Sequence, residues 1–258
     1  MERLTNTKSN GITINALRTW GMLFLMAGIA GRGVLQTHML GFYGLNTQQM
    51  LAAMQGSNEV MTYVTVSLVL QALEVCAVPI FATLLVDGVI HTSSFRAYFM
   101  RVLGTAALSE IPYNLVMSGK LFDFSTRNPV FSVVLCMIVL FFFRRYEGRN
   151  FKNVLIKLLI TLAALIWVKM LGIDFGGPML VIVAVLWAFR SKAMYRSFIG
   201  ASTAMACSLF SPFYLASPMA FLAIHLCNGE KGEENRKVNY LAYPVLLAFM
   251  ALIGLIFF

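Results

Sequence analysis

The chain is poor in charge. Asp, Glu, Lys and Arg make up 12% of its 258 residues, about half the roughly 25% of an ordinary soluble domain. That shortage excludes a water-soluble globule and leaves apolar residues at 59%, with a mean hydropathy of +0.77. Strict apolar–polar alternation is missing too, which excludes a β-barrel. No CxxC pair and no Cys/His spacing suits a metal. Cys76, Cys136, Cys207 and Cys227 each lie in an apolar run and read as free packing thiols. A Walker sequence, a GxGxxG fingerprint and a nucleophile constellation are absent. No repeat of roughly 20–50 residues and no inverted symmetry is visible, which disfavours a repeat-built transporter. The first apolar run begins near Arg18 without a small-residue cleavage site after it, so it reads as a retained spanning helix.

What is present is a series of long apolar runs. Residues 1–16 form a polar N-terminal segment, and residues 17–258 a single transmembrane domain. The runs are 17–40, 60–90, 99–117, 129–143, 154–171, 177–189, 197–210, 213–227 and 239–258. They predict an all-α fold: a polytopic transmembrane helix bundle of about nine spans, within a range of eight to ten. The sixth to eighth are short enough to be broken or re-entrant. The second is over-long, with a kink expected near Pro79. The connection 41–58 lacks Lys and Arg and carries a short amphipathic helix at Thr47–Met54.

The net charge of +9 would suggest nucleic acid in a soluble protein. Here the basic residues lie in short loops, where they set topology and imply no nucleic-acid partner. With the N-terminus inside, the inner segments hold three (Arg3, Lys8, Arg18), two (Arg96, Arg101), five (Arg144, Arg145, Arg149, Lys152, Lys157), three (Arg190, Lys192, Arg196) and three (Lys231, Arg236, Lys237), which is 16 of the 20. The outer segments hold Lys120, Arg127 and Lys169. The expected topology is therefore N-terminus cytoplasmic and C-terminus outside, in a cell (inner) membrane, with the lipid bilayer as the first partner.

Acids and bases inside lipid-spanning segments are functional-site candidates by default. Arg32, Glu74 and Glu110 fall at similar depth in the first three spans and are expected to form an intramembrane polar cluster, either a site or a structural ion pair. Pro112, just after Glu110, is expected to break that helix and open a cavity. Asp87 and His91 share a helix face at i,i+4, a spacing suited to general acid–base work or to an interfacial cap. His38 and His225 read as interfacial residues, and Asn128 before Pro129 as a helix cap.

The stretch VPIFATLLVDGVIHT, followed by YFMRVLGTAALSEIPYNL and NPVFS, resembles the TraX family, named for the F-pilin N-terminal acetylase. IDFGGPML at 173–180, CNGEKG at 227–232 and YLAYP at 240–244 resemble later family segments in the same order. The likeness covers residues 17–258 in outline and 77–131 most specifically. Pro79, Gly88, His91, Glu110, Pro112, Asn128, Asp174, Gly176, Asn228, Gly229 and Pro244 match the family pattern.

The resemblance implies a bacterial membrane acyltransferase-like bundle. Such an enzyme transfers an acyl group from acetyl-CoA or another acyl-CoA to an amine, such as a pilin-type N-terminus, or to a hydroxyl. It makes His91 and Glu110 expected catalytic residues, to which the i,i+4 pairing adds Asp87, and Asn128, Asp174 and Asn228 further site positions. The chain departs from the pattern in three places. Gly28-Ile29 stands where the family carries Asp-His, Glu74-Val75 where it carries Gly-Arg, and Leu246 where it carries a His. Three readings stay open on these residues: an acyltransferase, with impaired catalysis as one form of it; a non-catalytic membrane partner or chaperone-like binder; and a small-solute transporter.

Overall fold

A computed structural model describes residues 11–257, except 46, 149, 234 and 235. It is 80% helical, and no strands occur among the described residues. In chain order the elements begin with α1 (Ile14–Ile29), which runs without interruption into a π-helical segment, Ala30–Met39. Next come α2 (Thr47–Gly56), α3 (Asn58–Glu74), α4 (Ala77–His91), α5 (Phe95–Ser118), α6 (Val130–Arg145), α7 (Phe151–Leu171), α8 (Gly176–Ala188) and α9 (Ala193–Ala206). Two 3-10 stretches, Cys207–Leu209 and Pro212–Met219, lead into α10 (Ala220–His225), and α11 (Arg236–Phe257) closes the bundle. Hydroxyl caps start several helices. Thr13, Ser57 and Ser94 accept from the backbone N–H three residues on, filling donors that a helix start leaves open. Gly119 and Gly172, both left-handed, end α5 and α7.

Among the described residues, four helical stretches are long and apolar enough to cross a membrane: Ile14–Met39, Asn58–His91, Phe151–Leu171 and Val238–Ile256. This is a helical membrane protein. The shorter apolar helix α8 is covered by protein. At 13 residues, α8 is about 20 Å long, well short of a hydrocarbon core of roughly 30 Å. It packs among α4, α6, α7 and α9, and Leu180, Ile182 and Val183 along it are fully buried. The opposite case is α7, where only Ala164 and Val168 are buried and Leu158, Leu159, Leu162, Ile166 and Trp167 form an exposed apolar surface suited to lipid.

The kink expected near Pro79 is present: the run 60–90 is two helices, broken at Val75 and Cys76. Pro79 lacks the N–H that would bond the Val75 carbonyl, and that carbonyl accepts from Val78 instead, at 3.3 Å. Pro112 does not break its helix: α5 is continuous to Ser118, held along α11 and α6. The run 213–227 is a broken helix, one of the forms expected for it: a 3-10 stretch to Met219 and then six residues of α-helix, because Pro212 and Pro218 each remove a donor. Of the polar segment 1–16, residues 1–10 lie outside the described residues. The rest is tied down and starts the first helix three residues early: Ile12 exchanges backbone bonds of 2.9 Å with Leu226 and Asn228, and Ile14 donates to Glu230 at 2.8 Å. Gly11 allows this approach, since a Cβ there would meet the Leu226 carbonyl at 2.7 Å.

Element ends gather at two poles. At one, the start of α1 meets the start of α11 through Asn15 and Asn239 (3.3 Å), Arg101 of α5 lies over Tyr240, Phe95 of α5 meets Phe141 of α6, and Asp87 of α4 meets Arg196 of α9. At the other, His38 meets Leu115, Tyr43 meets Asp123, and Arg127 pairs with Gly172. The first pole carries most of the basic residues.

Candidate functional site

The site begins with three glycines in the first crossing. A Cβ on Gly28 would collide with the side chain of Glu74, one on Gly31 would press on Leu70 and Ser67, and one on Gly33 would collide with Val116. Their absence of side chains lets α1 and its π-helical extension lie directly on α3 and α5. Ser67 bonds the Gly31 carbonyl at 2.8 Å, and Thr37 bonds the carbonyls of Arg32 and Met117 at 3.2 and 3.1 Å. The wide π turn is thereby pinned on two sides. π-Helical turns often mark functional sites, and this one sets Arg32 among acids.

Arg32 is the hub. Its Nη2 donates to Glu74 Oε1 at 2.7 Å and its Nη1 to Asp174 Oδ2 at 2.9 Å. The Tyr113 hydroxyl donates to the same Asp174 oxygen at 2.9 Å. The Phe175 ring sits 5.2 Å from the guanidinium carbon, in cation–π contact. Phe175 has a φ of 55°, a left-handed conformation that costs a non-glycine residue roughly 1–2 kcal/mol. It stays there because it starts α8 and fills the space beside Arg32. A cavity of about 290 Å³ adjoins this network, lined by Arg32, Gln71, Glu74, Val75, Asp174, Phe175, Pro178, Phe210, Ser211, Phe213 and Tyr214. Two carboxylates face one guanidinium, so the fully ionised cluster has an excess of one negative charge. It suits a proton or a compact cation such as an ammonium group.

Glu110 does not join this cluster. Its carboxylate accepts from Arg127 Nη1 at 3.0 Å, from the Asn128 backbone at 3.2 Å and from Asn128 Nδ2 at 2.7 Å. Equal depth along neighbouring helices is not equal azimuth, and Glu110 faces the connection before α6. Asn128 also donates to the Ala106 carbonyl and accepts from Val130, so it caps α6 while clamping α5. The clamp reaches the site indirectly. Arg127 N–H donates to Gly172 O at 2.8 Å and Asp174 N–H to Arg127 O at 3.1 Å, so the strand-like contact that positions Asp174 hangs on the residue Glu110 holds.

The expected Asp87–His91 side-chain pair does not form. Asp87 Oδ1 accepts from Arg196 Nη1 at 3.0 Å, whereas His91 Nδ1 bonds the Asp87 backbone carbonyl at 2.9 Å from an exposed helix end. Arg196 is 2% exposed and takes the carboxylate, since a buried guanidinium needs a counter-charge. Asn228 shapes a turn, its Oδ1 accepting from Glu230 N–H at 3.0 Å. His38 is half-buried and bonds the Leu115 carbonyl at 3.0 Å, unlike the surface residue expected. His225 is exposed, and all four cysteines are buried and free. Tyr113, Phe175 and Tyr214 were not singled out from the sequence; an acid between Gly172 and the apolar run of α8 was the visible sign of Asp174.

Comparison with curated proteins and with solved structures returned no match. A family model described as TraX protein matches residues 36–254. That stretch holds Glu74, Glu110 and Asp174, while Gly28 and Arg32 lie just before it. The chain belongs to the TraX family.

Proposed function

We propose that this membrane protein transfers an acyl group from an acyl-CoA thioester to an amine, of the kind a pilin-type N-terminus presents, and that the amine is received in the cavity beside Arg32. The observation that carries this reading is the acid excess: Glu74 and Asp174 against a single guanidinium, on a cavity with Phe175, Phe210 and Phe213 in its walls. Negative charge and aromatic faces attract an ammonium group. A carboxylate relieved of its share of Arg32 can then take the proton that the amine must lose before it attacks. Family membership supports the reaction class. His91, Asp87 and Glu110 were the expected catalytic residues; with the partners described above, they leave proton handling to Glu74 and Asp174.

In this reading the chain crosses the bilayer about nine times, with the N-terminus inside. The basic pole is cytoplasmic and attracts the phosphates of the acyl donor. The Phe210–Ser211 turn, at the far end of α9 from that pole, gives the acceptor its approach. The same acid excess would also suit a cation-coupled transporter. Labelled acetyl-CoA, given to membranes holding the protein and a peptide with a free N-terminus, separates the two. Label moves to the peptide, and Glu74→Gln stops it, if the reading is right. No transfer by the wild type, with Glu74-dependent cation flux in proteoliposomes, would establish the transporter instead.

A further inference from the structure

Resting on the acyl-transfer reading, we propose that the Tyr214 hydroxyl and Arg32 Nε–H form the donor pair that holds the oxyanion created at the acyl carbonyl. Both atoms are buried and without a hydrogen-bond partner among the described residues, and both residues line the same cavity. Native proteins rarely leave buried donors unpaired, and an exception calls for a reason. Glu74 and Asp174 can only accept when ionised, and Arg32 Nη1 and Nη2 are already engaged with them. Tyr214 O–H and Arg32 Nε–H are thus the unpartnered donors of two residues that line this cavity.

Tyr214 is held by its backbone, not by its hydroxyl. Its N–H donates to Ser211 O at 3.0 Å, and its own carbonyl accepts from Ser217 Oγ at 2.6 Å. Cys76 at the break between α3 and α4 bonds the Ala216 carbonyl at 3.4 Å, docking this turn beside Glu74. A donor fixed in advance, in a site with little water, is the arrangement that stabilises a developing charge most.

The ammonium group first gives one proton to Asp174, which frees the nitrogen lone pair. The neutral amine nitrogen attacks the thioester carbonyl carbon, the C–N bond forms, and the carbonyl electron pair moves to oxygen, where Tyr214 and Arg32 donate to it. Glu74 takes the second proton from nitrogen. Collapse restores the C=O bond and breaks C–S; the thiolate leaves and receives the proton from Glu74. The products are the amide, free CoA thiol and one proton, which Asp174 returns to solvent.

Tyr214→Phe tests this in full-length protein, with acetyl-CoA and a peptide bearing a free N-terminus as probes. The turnover rate is expected to fall on the order of 100-fold, with KM little changed. The thermal midpoint in detergent stays level or rises, because an unpaired buried hydroxyl has been removed. Tyr243→Phe is the control. Its hydroxyl is also buried and unpartnered, but Tyr243 lies in the apolar cluster with Ile29 and Leu247, away from the cavity lining; its rate is expected to match the wild type. A wild-type rate in Tyr214→Phe, an equal loss in Tyr243→Phe, or a loss that tracks a lowered midpoint overturns the proposal while the acyl-transfer reading stands. Absence of transfer in the wild type overturns both.

Discussion

Removing Arg32 and removing Glu74 should have very different consequences for the fold, although both break the same 2.7 Å ion pair. At an effective dielectric of about 20, each of the two contacts, 2.7 and 2.9 Å, is worth roughly 6 kcal/mol of gross Coulomb attraction. Desolvation of the charges takes most of that back, so the intact network adds little net stability. The variants differ in what they leave behind. Arg32→Gln leaves the buried Glu74 and the half-buried Asp174 facing each other without a counter-charge, a loss of about 3 kcal/mol. Glu74→Gln keeps an amide oxygen for Nη2, keeps the Asp174 pair, and removes the excess negative charge; its cost should be within about 1 kcal/mol. The double variant should recover about 2 kcal/mol relative to Arg32→Gln alone, since one unpaired carboxylate is gone. SDS titration of the purified protein in mixed micelles at neutral pH measures all three. A double variant less stable than Arg32→Gln, or equal losses in the two single variants, would refute the charge count.

Four further outcomes are expected. Gly28→Ala should lose about 1–3 kcal/mol, because its new Cβ would overlap Glu74. Gly104→Ala, with nothing within 4 Å of its Cβ, should gain about 0.5–1 kcal/mol in the same titration. Glu110→Ala should slow transfer without abolishing it and should loosen residues 125–128 and 172–174 together in hydrogen exchange; protection unchanged at 172–174 would refute the link to Asp174. Asp123 accepts from the Ser125 N–H at 2.9 Å and from the Tyr43 hydroxyl at 2.7 Å, and these bonds, the Ser125 N–H first, hold its carboxyl below the ordinary range. A depressed folded value means that the contribution is full above the ordinary carboxylate pKa, near 4, and is lost as pH falls below it. Asp123 is exposed, so the effect is local: acid-stable protease should nick residues 119–125 faster at pH 3 than at pH 6, and Asp123→Asn should flatten that difference.

The helical membrane class was legible because burial in lipid and burial in protein ask for the same apolar runs. For that reason the runs could not tell α7, whose surface is mostly exposed, from α8, whose surface is mostly covered. The Arg32–Glu74 pair was legible from depth alone, since adjacent antiparallel segments must meet. Glu110 shared that depth, but the direction it faces depends on Arg127 and Asn128, 17 and 18 residues away. Asp174 is 142 residues from Arg32, and its place follows from a contact between two connections, which periodicity does not report. Tyr214 lies in a stretch that reads as helix until Pro212 and Pro218 are weighed together. Two missing donors six residues apart favour the tighter 3-10 winding that carries the tyrosine to the cavity.

The departures at 28, 29, 74, 75 and 246 change meaning once they have positions in space. Along the chain, the resemblance finds an acid missing at Gly28 and an unexpected one at Glu74. In the fold these are one place, because a Cβ on Gly28 would run into the Glu74 side chain. A side chain from α1 or from α3 can fill it, but not both, and here α3 supplies the carboxylate. The guanidinium follows the same rule: Val75 stands where an Arg was expected and lines the cavity, and Arg32 reaches that cavity from the opposite helix. In this chain the carboxylate comes from α3 and the guanidinium from the first crossing. The positions where the resemblance expects histidine are apolar. Ile29 is fully buried among Leu25, Tyr113 and Tyr243, Leu246 is 37% exposed on the outside of α11, and none of His38, His91 and His225 lines the cavity. With no histidine on the cavity wall, the proton acceptors of the proposed transfer are Glu74 and Asp174. On that proposal, a cation entering the cavity competes with Arg32 for the group that would accept its proton.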